Sequence, residues 1–176
     1  MSESPSIRSQ QSGFAGEKTY NSKIAIMFTP RPIGFLKTPY TEPKAIPKGL
    51  GATHDADGVL EVLPEFESGL ADIDGFSHLF LLWVFDRSHG FDLFGTPPCD
   101  DRGHGVFATR SPRRPNPIGL TVVELLGRDG RMLHVRGVDM LDDTPVLDIK
   151  PYLSSVPAST LRRGWLADAE ERRNRG

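Results

Sequence analysis

Beyond a polar opening stretch, the chain alternates short apolar runs with breaks at proline and glycine. The runs are Ile33 to Leu36, Val59 to Leu63, Leu79 to Phe85, Val106 to Ala108, Leu120 to Leu126, Met132 to Val138 and Val146 to Ile149. Runs this short, interrupted this often, predict the strands of a closed or nearly closed sheet. HLFLLWVF is apolar at consecutive positions and stops at Asp86, which predicts a strand at the centre of the fold in preference to a surface helix. In ELLGRDGRMLHV, Asp129-Gly130 lies between two apolar runs and supplies the positive-φ residue of a tight hairpin turn. One segment departs from this texture. From Ser159 to Arg173 helix formers place Leu161, Trp165 and Leu166 on one side, predicting a short terminal helix docked on the barrel. The expectation is an all-β, single-domain β-barrel over residues 23–155, with a mobile tail at 1–22 and a C-terminal helix and tail at 156–176.

Composition narrows the class. A chain of 176 residues holds one domain with a real core, and its 15 prolines and 18 glycines leave little room for long helices. The longest apolar run, Leu79 to Phe85, is far short of the roughly 20 residues that span a bilayer. The N-terminal stretch has no apolar h-region, so a cytoplasmic location is expected. Cys99 is the only cysteine, which excludes an internal disulfide and suits a reducing compartment. A net charge of −2 excludes binding to nucleic acid through bulk charge, but not through a local patch. Between Gly103 and Val123 there is no acidic residue, while Arg110, Arg113 and Arg114 all fall there.

Several motifs dissolve on inspection. GLGATHDADG, from Gly49, begins like a dinucleotide fingerprint but has His54 in place of the third glycine, and no amphipathic helix follows. Cys99 and His104 have no zinc-like spacing and no second pair, so they read as polar loop residues and no metal is expected. His78 and His134, in apolar strands, read as structural. A Ser77–His78 hydrolase pair is discarded because neighbours on a strand point to opposite faces.

Two segments carry more. In GVFATRSPRRPNPIGL a strand-like VFAT leads into three arginines and three prolines, so the guanidinium groups ride on a stiffened loop suited to anions. A solvated turn with surface ion pairs explains that window equally well. In GVDMLDDTPVLDIKPYL, Asp139, Asp142, Asp143 and Asp148 interleave with apolar residues. They accept hydrogen bonds either from a ligand's diol or amine or within Asx turns beside Thr144-Pro145, and for any one of them the turn is the commoner role.

Taken together, FSHLFLLWVF, GVFATRSPRRPNPIG and LDDTPVLDIKPYL resemble the tRNA methyltransferase O (TsaA-like) family, in the same order from about Ile33 to Leu153. The resemblance implies an S-adenosyl-L-methionine (SAM)-dependent methyltransferase on a β-barrel, acting as a homodimer on N6 of the threonylcarbamoyl-adenosine at position 37 of tRNA. Carried over by motif, the cofactor contacts fall on Leu50, Gly51 and Ala52, on Asp86 and Arg87, on Arg110 and Leu120, and on Arg136, Gly137, Val138 and Asp139. Longer members of the family carry an additional C-terminal domain, whereas this chain stops soon after its expected helix.

SAM brings its own leaving group, so binding and alignment are the protein's task. Arg110 is expected to meet the SAM carboxylate and Asp139 its ribose or adenine. Asp148 or Tyr152 would take the proton from the urea-like acceptor nitrogen. Arg113, Arg114, Asn116 and Lys150 would meet tRNA. Two rivals remain open: a SAM-dependent methyltransferase of a small metabolite, and a non-catalytic SAM- or RNA-binding barrel.

Overall fold

The computed structural model of the chain describes residues 29–48, 52–153, 157, 159 and 163–175. The chain divides into two compact units, Met1–Arg31 and Pro32–Gly176, and every element below belongs to the second. The expected tail at 1–22 lies outside the described residues.

The strands are β1 (Gly34–Lys37), β2 (Asp57–Val62), β3 (His78–Val84), β4 (Phe94–Gly95), β5 (His104–Gly105), β6 (Ile118–Asp129), β7 (Met132–Arg136) and β8 (Thr144–Pro151). Six of them close an antiparallel barrel in the order β1-β2-β7-β6-β3-β8, and β4 pairs with β5 as a separate two-stranded arm. The closure follows from strict alternation. Leu60 and Val62, Leu79, Leu81 and Trp83, Thr121 and Val123, Leu133 and Val135, and Thr144 and Val146 all point inward and are buried. Truncating any of the inward leucines to alanine removes about 2–5 kcal/mol, transfer and cavity terms combined.

β3 is paired along its length by β6 on one side and β8 on the other, as its apolar run predicts. Its outward residues Phe80, Leu82 and Val84 are half-buried. The hairpin joining β6 and β7 is also present, one residue later than expected: Asp129 pairs with Met132, leaving Gly130 and Arg131 as the turn. Gly130 has φ 57° and Arg131 no positive φ, the pattern of a type II′ turn, in which only the first central residue must be left-handed.

One expectation is corrected. Val106–Ala108 is a 3-10 turn and not a strand. Both the N–H and the hydroxyl of Thr109 donate to the Val106 carbonyl (3.1 and 2.9 Å), closing the turn locally and removing that group from any ladder. The C-terminal helix exists as α1 (Trp165–Asn174). Its side chains reach Asp100, His104 and Ala108 around the arm. Leu161 lies outside the described residues. No helix among the described residues is long and apolar enough to cross a membrane.

One irregularity positions the site. β6 pairs with β3 from Ile118 onward, but with β7 only from Glu124. Between them, on the β7 side, Ile118 to Val123 present an edge to which no strand among the described residues is paired.

Candidate functional site

The unpaired β6 edge opens at the barrel end where β2, β6 and β8 begin and β1, β3 and β7 finish. Gly119 makes the local packing possible: a Cβ there would stand 2.2 Å from the Trp83 ring, so only glycine lets the indole lie against the β6 backbone. Trp83 is buried, and its indole N–H needs a partner. It donates to the Thr121 hydroxyl at 3.1 Å, and Thr121 donates to Asp139 Oδ1 at 2.6 Å. This chain of bonds runs from the core to a half-buried carboxylate and fixes its direction.

Arg110 reaches the same edge, since its Nη2 donates to the carbonyl of Leu120, the residue before Thr121. Leu120 itself is exposed on the outer face. Gly137 adopts φ 97°, a conformation glycine tolerates, and donates its N–H to Ala56 at 2.9 Å. A Cβ on Gly137 would lie 3.6 Å from the His54 carbonyl and 3.7 Å from the Val122 carbonyl. Gly137 therefore joins the Ala52–Ala56 segment to the open edge. His54 Nδ1 is buried there without a hydrogen-bond partner among the described residues.

Within one subunit the structure thus gathers Asp86, Arg87, Arg110, Leu120, Arg136, Gly137, Val138 and Asp139 at one barrel end, Ala52 lies two residues before the His54 that reaches it, and Leu50 and Gly51 lie outside the described residues. Not all are free to bind. Val138 is fully buried and offers only its backbone. Arg136 is held by Asp57 across the β2–β7 ladder at 2.8 and 3.3 Å, and that guanidinium holds the exposed Asp57 carboxyl below its usual range. Arg87 donates to the Asp142 carbonyl at 2.7 Å and stands 3.7 Å from Asp86.

The four aspartates divide. Asp142 accepts from the Thr38 N–H at 3.0 Å, while Asp143, in the left-handed region at φ 66°, pairs with Lys37 at 2.7 Å. The hydrogen bond it donates to Asp143 holds the exposed Lys37 ammonium above its usual range. Both are turn residues. Asp139 alone of the four points at the open edge; Asp148 stands mid-strand in β8 opposite Leu82, lines the cleft beside Phe66 and pairs with Lys150 at 2.7 Å. Tyr152 lies just past the end of β8: its N–H bonds to the His78 carbonyl and its ring packs 5.1 Å from Phe80. Asp148, Lys150 and Tyr152 therefore take no part in the hydrogen bonds that tie Arg110 and Asp139 to the β6 edge.

The arginine loop divides as well. Arg114 donates to the carbonyls of Val106, Thr109 and Ser111 (3.3, 2.9 and 3.5 Å) and so clamps its own loop. Arg113, half exposed, pairs with Asp92 at 2.5 Å, which holds the Asp92 carboxyl below its usual range. Asn116 is exposed beside it. Ser77 precedes β3, and its hydroxyl lies 3.0 Å from His78 Nδ1, contrary to the expectation that the two cannot meet. No carboxylate among the described residues is hydrogen-bonded to that ring, so no triad results.

Sequence reasoning missed Trp83, Thr121 and His54. The signal for the first was available: an inward tryptophan on a barrel strand must have its N–H satisfied. Two clefts, of about 710 Å³ beside Cys99 and Arg172 and about 420 Å³ beside Phe66 and Asp148, lie away from this edge.

A small closed antiparallel barrel with a cation, a tethered carboxylate and unpaired main chain at one end defines the class. The chain belongs to the tRNA-methyltransferase O N-terminal domain family, which it matches over residues 35–158. It is 46% identical over 144 residues to a probable S-adenosyl-L-methionine-binding protein of Pyrococcus abyssi, covering 81% of this chain and 78% of that one. It is 37% identical over 152 residues to the tRNA (adenine(37)-N6)-methyltransferase of Escherichia coli, covering 79% of this chain and 65% of that one. A crystal structure of TrmO superposes with a TM-score of 0.65 at 38% identity, covering 78% of this chain and 64% of that one. The chain thus spans less than two thirds of the length of the methyltransferases it matches.

Proposed function

We propose that this chain is a SAM-dependent methyltransferase that modifies N6 of adenosine 37 in tRNA, with threonylcarbamoyl-adenosine as the acceptor. The observation that carries the reading is the meeting of Arg110 and the Trp83–Thr121–Asp139 chain at the unpaired edge of β6.

The residues present fit SAM. Arg110 suits its carboxylate, Asp139 its ribose diol, and the free main-chain groups of β6 and the backbone at Gly137 the polar edge of adenine. The unpartnered His54 Nδ1 gives one further polar contact at the same place. SAM supplies the methyl group together with its leaving group, so the chain has only to bind and align. The sulfonium charge disperses during transfer, and a carboxylate against sulfur would stabilise the ground state more than the transition state. Asp139, tethered by Thr121, belongs at the cofactor's periphery for that reason.

Arg113 and Asn116 face solvent beside this edge and serve tRNA phosphate or the threonyl carboxylate. Arg114 contributes mainly by holding the loop. The reading extends to a cytoplasmic homodimer. Ile118, Leu120, Val122 and Leu126 are exposed along the outer face of β6, as are Phe91, Leu93, Phe94 and Phe107 around the arm, and exposed large apolar side chains in such number suit an interface. Asp148, Lys150 and Tyr152 enter the reaction, as proton acceptor and RNA contact, only if a second copy brings its far barrel end to the first copy's cofactor end.

The test is mass spectrometry of tRNA nucleosides after incubation with SAM. Gain of one methyl on threonylcarbamoyl-adenosine is expected; methyl transfer to a small-molecule extract alone, or SAM binding without turnover on either, overturns the reading.

A further inference from the structure

The arginine loop is fixed at its far end by entry into β6 and at its near end by exit from β5, where the Val106 N–H donates to the Leu93 carbonyl at 2.9 Å; in the turn that follows, Val106 to Ser111, side chains hold the carbonyls. Three of the carbonyls there, those of Val106, Thr109 and Ser111, are held by Arg114 from within the loop. The Ala108 carbonyl is held from elsewhere, by the Trp165 indole N–H at 2.9 Å. Trp165 is pinned in turn: its ring stacks on His104 at 4.0 Å and 17°, and His104 Nε2 lies 3.0 Å from Asp100 Oδ2. The other oxygen of Asp100 accepts from Arg172 at 2.6 Å, which returns the path to α1. The Asp100 side chain is only 2% exposed, so both partners are needed to keep its charge satisfied. Trp165, Ala169 and Arg172 stand at helical spacing i, i+4 and i+7, and the buried alanine between them lets the helix approach closely.

We propose that Trp165 is a positioning residue of the cofactor site: through the Ala108 carbonyl, α1 sets the place of Arg110, two residues on. The inference rests on the reading in which Arg110 binds SAM. It gives the C-terminal helix a part in cofactor affinity that its distance in sequence from every cofactor motif conceals.

The test is calorimetric titration of SAM into the full chain, Trp165→Phe, Arg110→Ala and the double variant, with thermal unfolding recorded for each. Phenylalanine keeps the stacked ring and removes only the donor. Trp165→Phe is expected to weaken SAM about fivefold, as for one ordinary hydrogen bond. It is expected to add nothing further in the Arg110→Ala background, since the two changes act through one contact. As a second route, Arg172→Ala is expected to weaken SAM two- to threefold on ordinary cap-and-pair magnitudes, again with no added effect on Arg110→Ala. Losses that add, as a helix serving only global stability would give, overturn the proposal. So does wild-type affinity in Trp165→Phe beside weakened Arg110→Ala, which leaves the role of Arg110 standing. Wild-type affinity in Arg110→Ala removes that role, and the inference with it.

Discussion

At the barrel end where β2, β6 and β8 begin, polar groups are wired to one another and to an edge that β7 leaves unpaired. Arg110 reaches Leu120, Thr121 reaches Asp139, and Gly137 bridges to Ala56. At the opposite end β3 is paired from its first residues on both sides. Pro151 faces Leu79, Tyr152 bonds back to His78, and a cleft of about 420 Å³ lined largely by apolar side chains such as Phe66, Leu70 and Phe76 lies beside Asp148. The same six strands thus produce one end where directed polar side chains meet an open β6 edge and one where the strand ends flank a largely apolar cleft. Spare, directed polar groups are what a ligand can use, because satisfied ones must first be released.

The largest effect is expected where the open end meets the core. Gly119→Ala drives a methyl into the Trp83 ring and should cost about 3 kcal/mol, as for a strongly overpacked site, read as a shift in the denaturation midpoint. A midpoint unchanged from wild type would mean that the indole does not lie against β6. Next, Asp139→Asn should weaken SAM about tenfold, the cost of losing charge from a hydrogen-bonded site. Asp148→Asn and Tyr152→Phe should leave SAM affinity intact. Equal losses at both ends, by calorimetry, would erase the contrast. Within the arginine loop, Arg113→Ala should weaken tRNA about threefold, in line with one exposed charge contact, and spare SAM. Arg114→Ala should weaken both, because it releases the loop; filter binding and calorimetry on the two variants separate them.

The smallest effect is a pH dependence at the arm. His104, then Arg172, holds the Asp100 carboxyl well below the usual carboxylate range. A depressed folded value means that the contribution is complete above the unfolded pKa of about 4 and is lost as the pH falls below it. Asp100→Asn should therefore flatten the decline of thermal stability under acid conditions. An acid limb as steep as that of wild type would show the carboxyl unpaired.

Much of the fold was legible along the chain because barrel strands alternate with a period of two and end at Pro and Gly. Six of the seven apolar runs are barrel strands for that reason. Val106 to Ala108 is the exception, since its apolar residues belong to a turn whose closure by Thr109 leaves no periodic trace. The motif residues at the site were legible as types, but their state was not. Nothing local distinguishes Arg114, which clamps backbone, from Arg113, which faces an exposed aspartate.

What the sequence determined by itself is therefore the six barrel strands, the presence of a tight hairpin with Gly130 as its positive-φ residue, and the chemical types around PRRPNPIG and DDTPVLDIKPY. Only the tertiary structure decided which of those residues share an end, because register and closure put β6 beside Gly137 and carry Tyr152 away along β8. Local propensity fixes the direction a side chain takes from its own strand. Which partner it then meets depends on contacts between residues far apart in the chain, and those are set only when the barrel closes.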